Sequence, residues 1–428
     1  MTDLMQSIEA HRDEYVAHLV RLVQCDTHDI DHGIGGGLEK NGQEYLKTVF
    51  EELGASRIQK DPLTEEVITA CREKYHEGNP GHDYKDRYNL YASFPGQGEK
   101  SILFDGHVDS MPAGNPEHWL HDPYGGVIDA GKIYGVGACD MKAGLMASIM
   151  AVKALQDAGI ELPGTVKIAS VCDEEGGGNG SLVAAMHGEK ADAVVVCEPT
   201  DYELIAAHMG WVFFKVETEG IAVHSGLKLK GVNAIDKIIK IIHALEEMEH
   251  RWLLTYKHPL LPPPSGNVGV IAGGEAGSTV PDSCSIQLCV HYQPGMTYEQ
   301  VVKEFTDAVM LCADGDAWLR EHRPKVSVYQ TGNPFEMDLA HPFVKVFRDS
   351  FREAIGRDVP IVGSPAGCDS RTWRNIAGCP TLQYGPGRLA QCHAVNEYVE
   401  IQQYIDAIKL RIANPQLVQM SRCGQQMQ

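Results

Sequence analysis

None of the twelve cysteines forms a C-x-x-C pair, which removes zinc-knuckle and thioredoxin-type redox readings. Cys139, Cys197 and Cys392 stand beside acidic or histidine positions, yet they read as small buried residues of a reducing compartment rather than as ligands. No run approaches the ~18 apolar residues that a bilayer span requires. The first twenty residues place Asp3, Glu9, Arg12, Asp13 and Glu14 among spaced apolar positions, the pattern of an amphipathic helix and not of a secretory leader. A cytoplasmic protein with no membrane partner is expected. Basic residues are scarce: 37 Lys and Arg against 58 Asp and Glu give a formal charge of -21. That balance argues against a nucleic-acid partner, because binding a phosphate backbone needs clustered cations that displace counterions.

The chain does have length, apolar residues and turns. Its 428 residues, 43% of them hydrophobic, suffice for two or three domains, and 44 glycines fit many short elements. The most informative stretch is Ser170-Val-Cys-Asp-Glu-Glu-Gly-Gly-Gly. An apolar run from Val166 to Cys172 reads as a buried strand that ends in two adjacent carboxylates and a glycine turn. Neighbouring side chains at a strand end point different ways. One of Glu174 and Glu175 can therefore hold a cation while its neighbour faces a water or substrate, the division that metal-assisted hydrolysis needs.

In chain order, the pattern predicts a helix over about 3–24, a glycine-rich loop at 33–37 and a helix near 42–54. Residues 61–86 read as a polar insertion. Strands follow at 89–94 and 101–104, the second running into Asp105-Gly-His107-Val-Asp109, where a carboxylate two residues on can orient an imidazole. Gly135-x-Gly137 is followed by Asp140 where a nucleotide loop needs a third glycine, so phosphate binding is disfavoured. Asp140 is expected to open a helix running to about Gly159. The strand Asp192–Cys197 then ends at Glu198-Pro199. His107, Glu174, Glu175 and Glu198 thus all fall at the ends of apolar strands that alternate with helices. In a parallel α/β sheet those ends share one edge, where such folds place their sites.

From about His208 the pattern becomes strand, helix, two strands, helix, strand: 211–217, 231–252, 267–272, 283–293, 297–313 and 325–329. The expected fold class is α/β, a mostly parallel-sheet domain (1–207 and 330–428) with a smaller α+β, ferredoxin-like domain inserted at 208–329. The chain returns through a helix at 341–355, a strand at 360–362, Asp369-Ser-Arg371, Cys392-His393-Ala-Val-Asn396-Glu397 and a helix to about Ile412. The tail at 416–428 is expected to be disordered.

Gly-His107-x-Asp109, Cys139-Asp140, Glu174-Glu175, Cys197-Glu198-Pro-Thr and Cys392-His393, in this order, resemble the dinuclear-metal amidohydrolases and peptidases that include acetylornithine deacetylase, succinyl-diaminopimelate desuccinylase, aminoacylase and carboxypeptidase G. The likeness covers nearly the whole chain. It implies that His107 and Glu198 hold one divalent metal, usually zinc, that Glu175 and His393 hold a second, and that Asp140 bridges them. It also implies that Asp109 orients His107 and that Glu174 is the general base. The inserted domain would be a lid through which homodimers form, with His224 reaching the partner's site to donate to an oxyanion. The ligand set also accepts cobalt or manganese.

Departures from the family pattern concern the substrate. Val136 stands where relatives usually have Arg, Cys289 and His291 where Asp and Arg are common, and Thr279 where Asn is frequent. Arg371 matches a family position and is a candidate carboxylate clamp, with a structural pairing to Asp369 as the alternative. His291 and Thr279 are the other candidate substrate contacts. The expected reaction is deacylation of an N-acyl amino acid or related small-molecule amine; a dipeptidase or carboxypeptidase, or an aminohydrolase acting on another C-N bond, is the alternative. A non-catalytic metal-binding protein is the rival from another class, and retention of Glu174 speaks against it.

Overall fold

The computed structural model describes residues 2–413, so the tail at 416–428 lies outside the described residues. The described residues divide into two units: 2–206, 336–362 and 368–413 form the first, and 207–335 with 363–367 form the second. The boundaries expected from sequence stood at 207/208 and 329/330.

The first unit is built on a sheet whose strands lie in the order Thr381–Gly385, Ala193–Pro199, Ser101–His107, Thr165–Val171, Tyr88–Phe94, Arg57–Pro62. The first four are parallel to one another, Tyr88–Phe94 runs antiparallel to them, and Arg57–Pro62 is antiparallel to Tyr88–Phe94. The Ala193–Pro199 strand is buried along its whole length, as expected of a strand covered on both faces. The strand Leu204–His208, not anticipated from the pattern, pairs antiparallel with 381–385 through Ile205 and Gln383.

The helix Ala143–Asp157 is buried from Ala143 to Val152, apolar all round and so interior. A Cβ on Gly144 would stand 1.9 Å from the Cys197 carbonyl oxygen. Only glycine lets this helix lie so close to the strand that carries Glu198. The helix starts later than its pattern suggests. Ala138–Lys142 form an irregular turn with Asp140 at φ -112, ψ 94, so Asp140 precedes the helix rather than opening it.

Two further expectations need correction. The single N-terminal helix is two, Thr2–Ala10 and Arg12–Val23, broken at His11. The stretch 61–86 is not an insertion: Arg57–Pro62 is a sheet edge, and Glu65–Tyr75 is a helix that buries Ile68 and Cys71. Glu77, His82 and the following Arg87 are buried too. Charge pairing holds this segment in place, so its apolar periodicity is thin.

The second unit has a four-stranded antiparallel sheet in the order Ser265–Gly273, Ser283–Tyr292, Gly210–Glu219, Lys325–Gly332. Two helices, Ala234–Thr255 and Tyr298–Asp314, supply its core with Ile238, Ile241, Leu245, Phe305 and Val309 against Val212, Phe214 and Val216. Along 210–219 buried and half-buried residues alternate, the period of a sheet with one covered face. Asn233 and Thr297 cap the two helices by accepting from Ile235 and Gln300 N–H groups. Strand succession and sheet order together give the ferredoxin-like arrangement expected from sequence. No helix among the described residues is long and apolar enough to cross a membrane.

Phe214 and Phe305 stack with ring centroids 3.8 Å apart, both fully buried. Phe305→Ala should therefore destabilise this unit by about 3–5 kcal/mol, read as a lowered midpoint in urea unfolding.

Candidate metal centre

The parallel strands bring their C-terminal ends to one edge, and the chemistry-bearing residues gather there. His107 is the last residue of 101–107, and Glu198 lies one residue before the end of 193–199. Glu174 and Glu175 sit in the turn after 165–171. His107 Nε2 lies 3.1 Å from Asp140 Oδ1 and 3.8 Å from Glu198 Oε1. On the other side, His393 Nε2 lies 3.5 Å from Asp140 Oδ2 and 2.9 Å from Glu175 Oε2. Two three-residue groups result, His107–Asp140–Glu198 and Asp140–Glu175–His393, each with ligand atoms within 4.8 Å of one another. Asp140 belongs to both, offering one oxygen to each.

The electrostatics show what such a cluster requires. Burial presses His107 toward its neutral form, but Asp140, Asp109 and Glu198 outweigh it and raise its pKa above the ordinary histidine range. His393 is raised to about 11 by its contacts with Asp140 and Glu175. Asp140 is held below the usual carboxylate range: burial opposes this, but the two imidazoles prevail. Glu198 is pushed well up by burial and by the charge on Asp140. Carboxylates outnumber imidazoles, and their repulsion is relieved only by protons or by cations. A mixed set of imidazole and carboxylate donors in two groups that share one carboxylate fits two divalent ions.

A surrounding layer fixes the ligands. His107 Nδ1 donates to the Asp109 backbone carbonyl at 2.9 Å, while the Asp109 carboxylate is 3.7 Å from the ring. That carboxylate instead accepts the Glu175 N–H at 3.0 Å. Asp109 therefore steadies a residue of each group, one through its backbone and one through its side chain. Glu397, unremarked in the sequence, is buried and accepts three backbone N–H groups, from Gly137 at 2.9 Å, Cys139 at 2.8 Å and Asp140 at 3.0 Å. It holds the irregular turn that aims Asp140. Its place four residues after His393 was the available signal.

Glu174 belongs to neither group. Burial and the neighbouring Asp369 raise its pKa well above the usual carboxylate range. Arg371 is buried, and its guanidinium donates to Glu77 at 3.0 Å, to the Cys368 carbonyl at 2.7 Å and to the Gly177 carbonyl at 3.0 Å. It forms an ion pair with Glu77, and Asp369, which accepts from Ser181, stands near enough for its charge to raise the Arg371 pKa. The remaining sequence candidates belong to the second unit. His224 is exposed, its ring accepts the Gly226 N–H, and it forms an isolated antiparallel bridge with Thr279. His291 lies on the 283–292 strand with Nε2 3.5 Å from the Cys289 sulfur. A third trio, His11, Glu14 and Asp157, is partly exposed, and Lys153 pairs with both of its acids.

Comparison with known proteins follows this geometry. The model of peptidase family M20/M25/M40 matches residues 103–412. The chain is 33% identical over 427 residues to an N-formyl-4-amino-5-aminomethyl-2-methylpyrimidine deformylase of Bacillus subtilis (strain 168), covering 95% of each chain. A deformylase of the same name from Halalkalibacterium halodurans is 28% identical over 428 residues, again covering 95% of each chain. Among solved structures, the di-peptidase Dug1p of Saccharomyces cerevisiae superimposes with a TM-score of 0.73 at 17% identity, over 98% of this chain and 99% of that one.

Glu397→Gln would set an amide N–H against one of the backbone donors that the carboxylate now accepts. Metal affinity should fall about 10- to 100-fold, as is typical when a ligand loses its support. Metal content after dialysis against graded chelator checks this.

Proposed function

Since the chain belongs to peptidase family M20/M25/M40 and is a metal-dependent hydrolase of C-N bonds, we propose that its reaction is removal of a formyl group from the aminomethyl nitrogen of a substituted pyrimidine. The observation that carries this reading is the 33% identity, over 95% of both chains, to a protein named for that reaction. The sequence departures agree with it. Formylated aminopyrimidines have no carboxylate, and Val136, Cys289, His291 and Thr279 stand where relatives that hold a carboxylate have charged or amide groups. Arg371, the remaining candidate clamp, directs its guanidinium to Glu77. The likeness to dipeptidases shows the fold alone.

His107, Asp140 and Glu198 would hold one cation and Asp140, Glu175 and His393 the other, with zinc the proposed metal. Such ions supply Lewis-acid chemistry, lowering the pKa of water toward ~7 and polarising an acyl oxygen. Glu174, free of ligation, takes the proton of the attacking water as oxygen adds to the formyl carbon. It returns that proton to the nitrogen as the C-N bond breaks, leaving formate and a primary amine. A raised pKa suits a carboxyl that must both accept and donate near neutrality. His224 would donate a hydrogen bond to the developing oxyanion of a second copy's site. The pairing of copies that this needs is supported by the 265–273 strand, an exposed sheet edge that presents Val268, Val270 and Ile271. The proposed setting is the cytoplasm.

Purified protein incubated with N-formyl-4-amino-5-aminomethyl-2-methylpyrimidine should release formate. Turnover of N-acetyl amino acids or dipeptides without formate release would reject the reading. Chelation should abolish the rate, and added zinc, cobalt or manganese should restore it. Glu174→Gln should keep its metal content while kcat falls about 10²- to 10⁴-fold, the span of general acid-base catalysis.

A further inference from the structure

The turn that carries Glu174 and Glu175 begins at Asp173, a non-glycine residue at φ 62. Left-handed backbone is unfavourable for such a residue unless its surroundings enforce it. Here they do. Asp173 Oδ1 accepts from Arg87 Nη2 at 2.9 Å, and Oδ2 accepts from His82 Nδ1 at 2.9 Å and Asn179 Nδ2 at 2.6 Å. Gly33 and Gly176 close on the same carboxylate so tightly that a Cβ on either would stand 2.1 or 2.2 Å from Oδ1.

Arg87 is the hub of this arrangement. Its side chain is fully buried and donates to Glu39 through Nε at 2.8 Å, to Asp29 Oδ1 at 2.9 Å and to the Gly33 carbonyl at 2.9 Å, besides Asp173. The loop at 29–33, the start of the 40–52 helix and the metal-centre turn therefore meet on one guanidinium. Burial, with the charges of Asp109 and Glu39, pushes the Asp29 carboxyl up to about 11. Arg87 thus meets the side chains of three buried acids, Asp29, Glu39 and Asp173. Without that guanidinium these buried acids would lose the cation they share, the situation in which breaking a buried pair is most disruptive.

We propose that Arg87 is a positioning residue of the metal centre: by clamping Asp173 it sets the direction in which the next two residues present the base Glu174 and the ligand Glu175. The proposal rests on the roles assigned to those two residues. Neither composition nor motif pointed to it, because the clamp reaches the site through a neighbour and stands just after the stretch that reads as an insertion. It differs from simple core stabilisation in acting on one group of ligands more than the other. The turn carries Glu175, a member of the group Asp140, Glu175 and His393, and it carries no member of the group His107, Asp140 and Glu198.

The test is cobalt(II) titration of the metal-free full-length chain by calorimetry and visible absorption, for Arg87→Met, Arg87→Lys and Asp173→Asn beside the native protein. The expected result for Arg87→Met is a loss of about 10- to 100-fold in one of the two cobalt affinities, with the other within about threefold. On the pyrimidine substrate, kcat should drop while KM stays within about threefold, and Arg87→Lys should recover part of both losses. Folded Arg87 variants with both cobalt affinities and kcat within about twofold of native would overturn the proposal. If neither Arg87 variant folds, Asp173→Asn decides, since it removes the charge with little change of shape; native cobalt affinities in that variant overturn the proposal. A native protein that shows no formate release but whose variants lose cobalt affinity would reject the reaction while leaving the clamp intact.

Discussion

The structure turns on one carboxylate with two occupied sides. Asp140 faces His107 through one oxygen and His393 through the other, and each imidazole belongs to a different part of the chain. Were Asp140 to swing toward either, one group would lose its shared member. Almost everything nearby prevents that swing. Glu397 takes three backbone N–H groups of the turn that carries Asp140. Gly144 lets the following helix lie against the strand that brings Glu198.

The ligands themselves are exposed to strong mutual repulsion, and the protein answers with layers of fixed donors rather than with flexibility. Asp109 uses its carbonyl for His107 and its carboxylate for the Glu175 N–H. Behind the turn that follows, Arg371 donates to Gly177 at one end, and Arg87 holds Asp173 at the other. Buried arginines with paired acids on both flanks make this turn the most heavily tied irregular segment described above. A hydrolytic centre gains from such stiffness because a reactive geometry off by a fraction of an ångström loses rate steeply.

The residues that touch the centre were legible in the sequence, and those that support it were not, for a physical reason. His107, Glu175 and Glu198 close apolar strands, so period and punctuation locate them. The parallel sheet and the inserted ferredoxin-like unit likewise follow from runs of Val, Ile and Ala that change from continuous to alternating. Glu397, Glu77, His82 and Arg87 carry no such mark, because a buried polar residue looks in one dimension like a surface one. The segment 61–86 illustrates this best: its charges suggest solvent, yet Glu77 pairs with buried Arg371 and His82 with buried Asp173. Asp140 was found by its neighbours in sequence but misplaced in secondary structure, since a helical period of apolar residues says nothing of the irregular turn just before it.

The order of the ligands along the chain has a consequence for synthesis. His107, Asp140 and Glu198 all precede the inserted unit, whereas His393 follows it, on the return of the chain. A polypeptide emerging from the ribosome can assemble the first group long before the second exists. The second group is completed only after the inserted unit and most of the returning segment have been translated. A product that ends before His393 therefore carries only the first of the two groups.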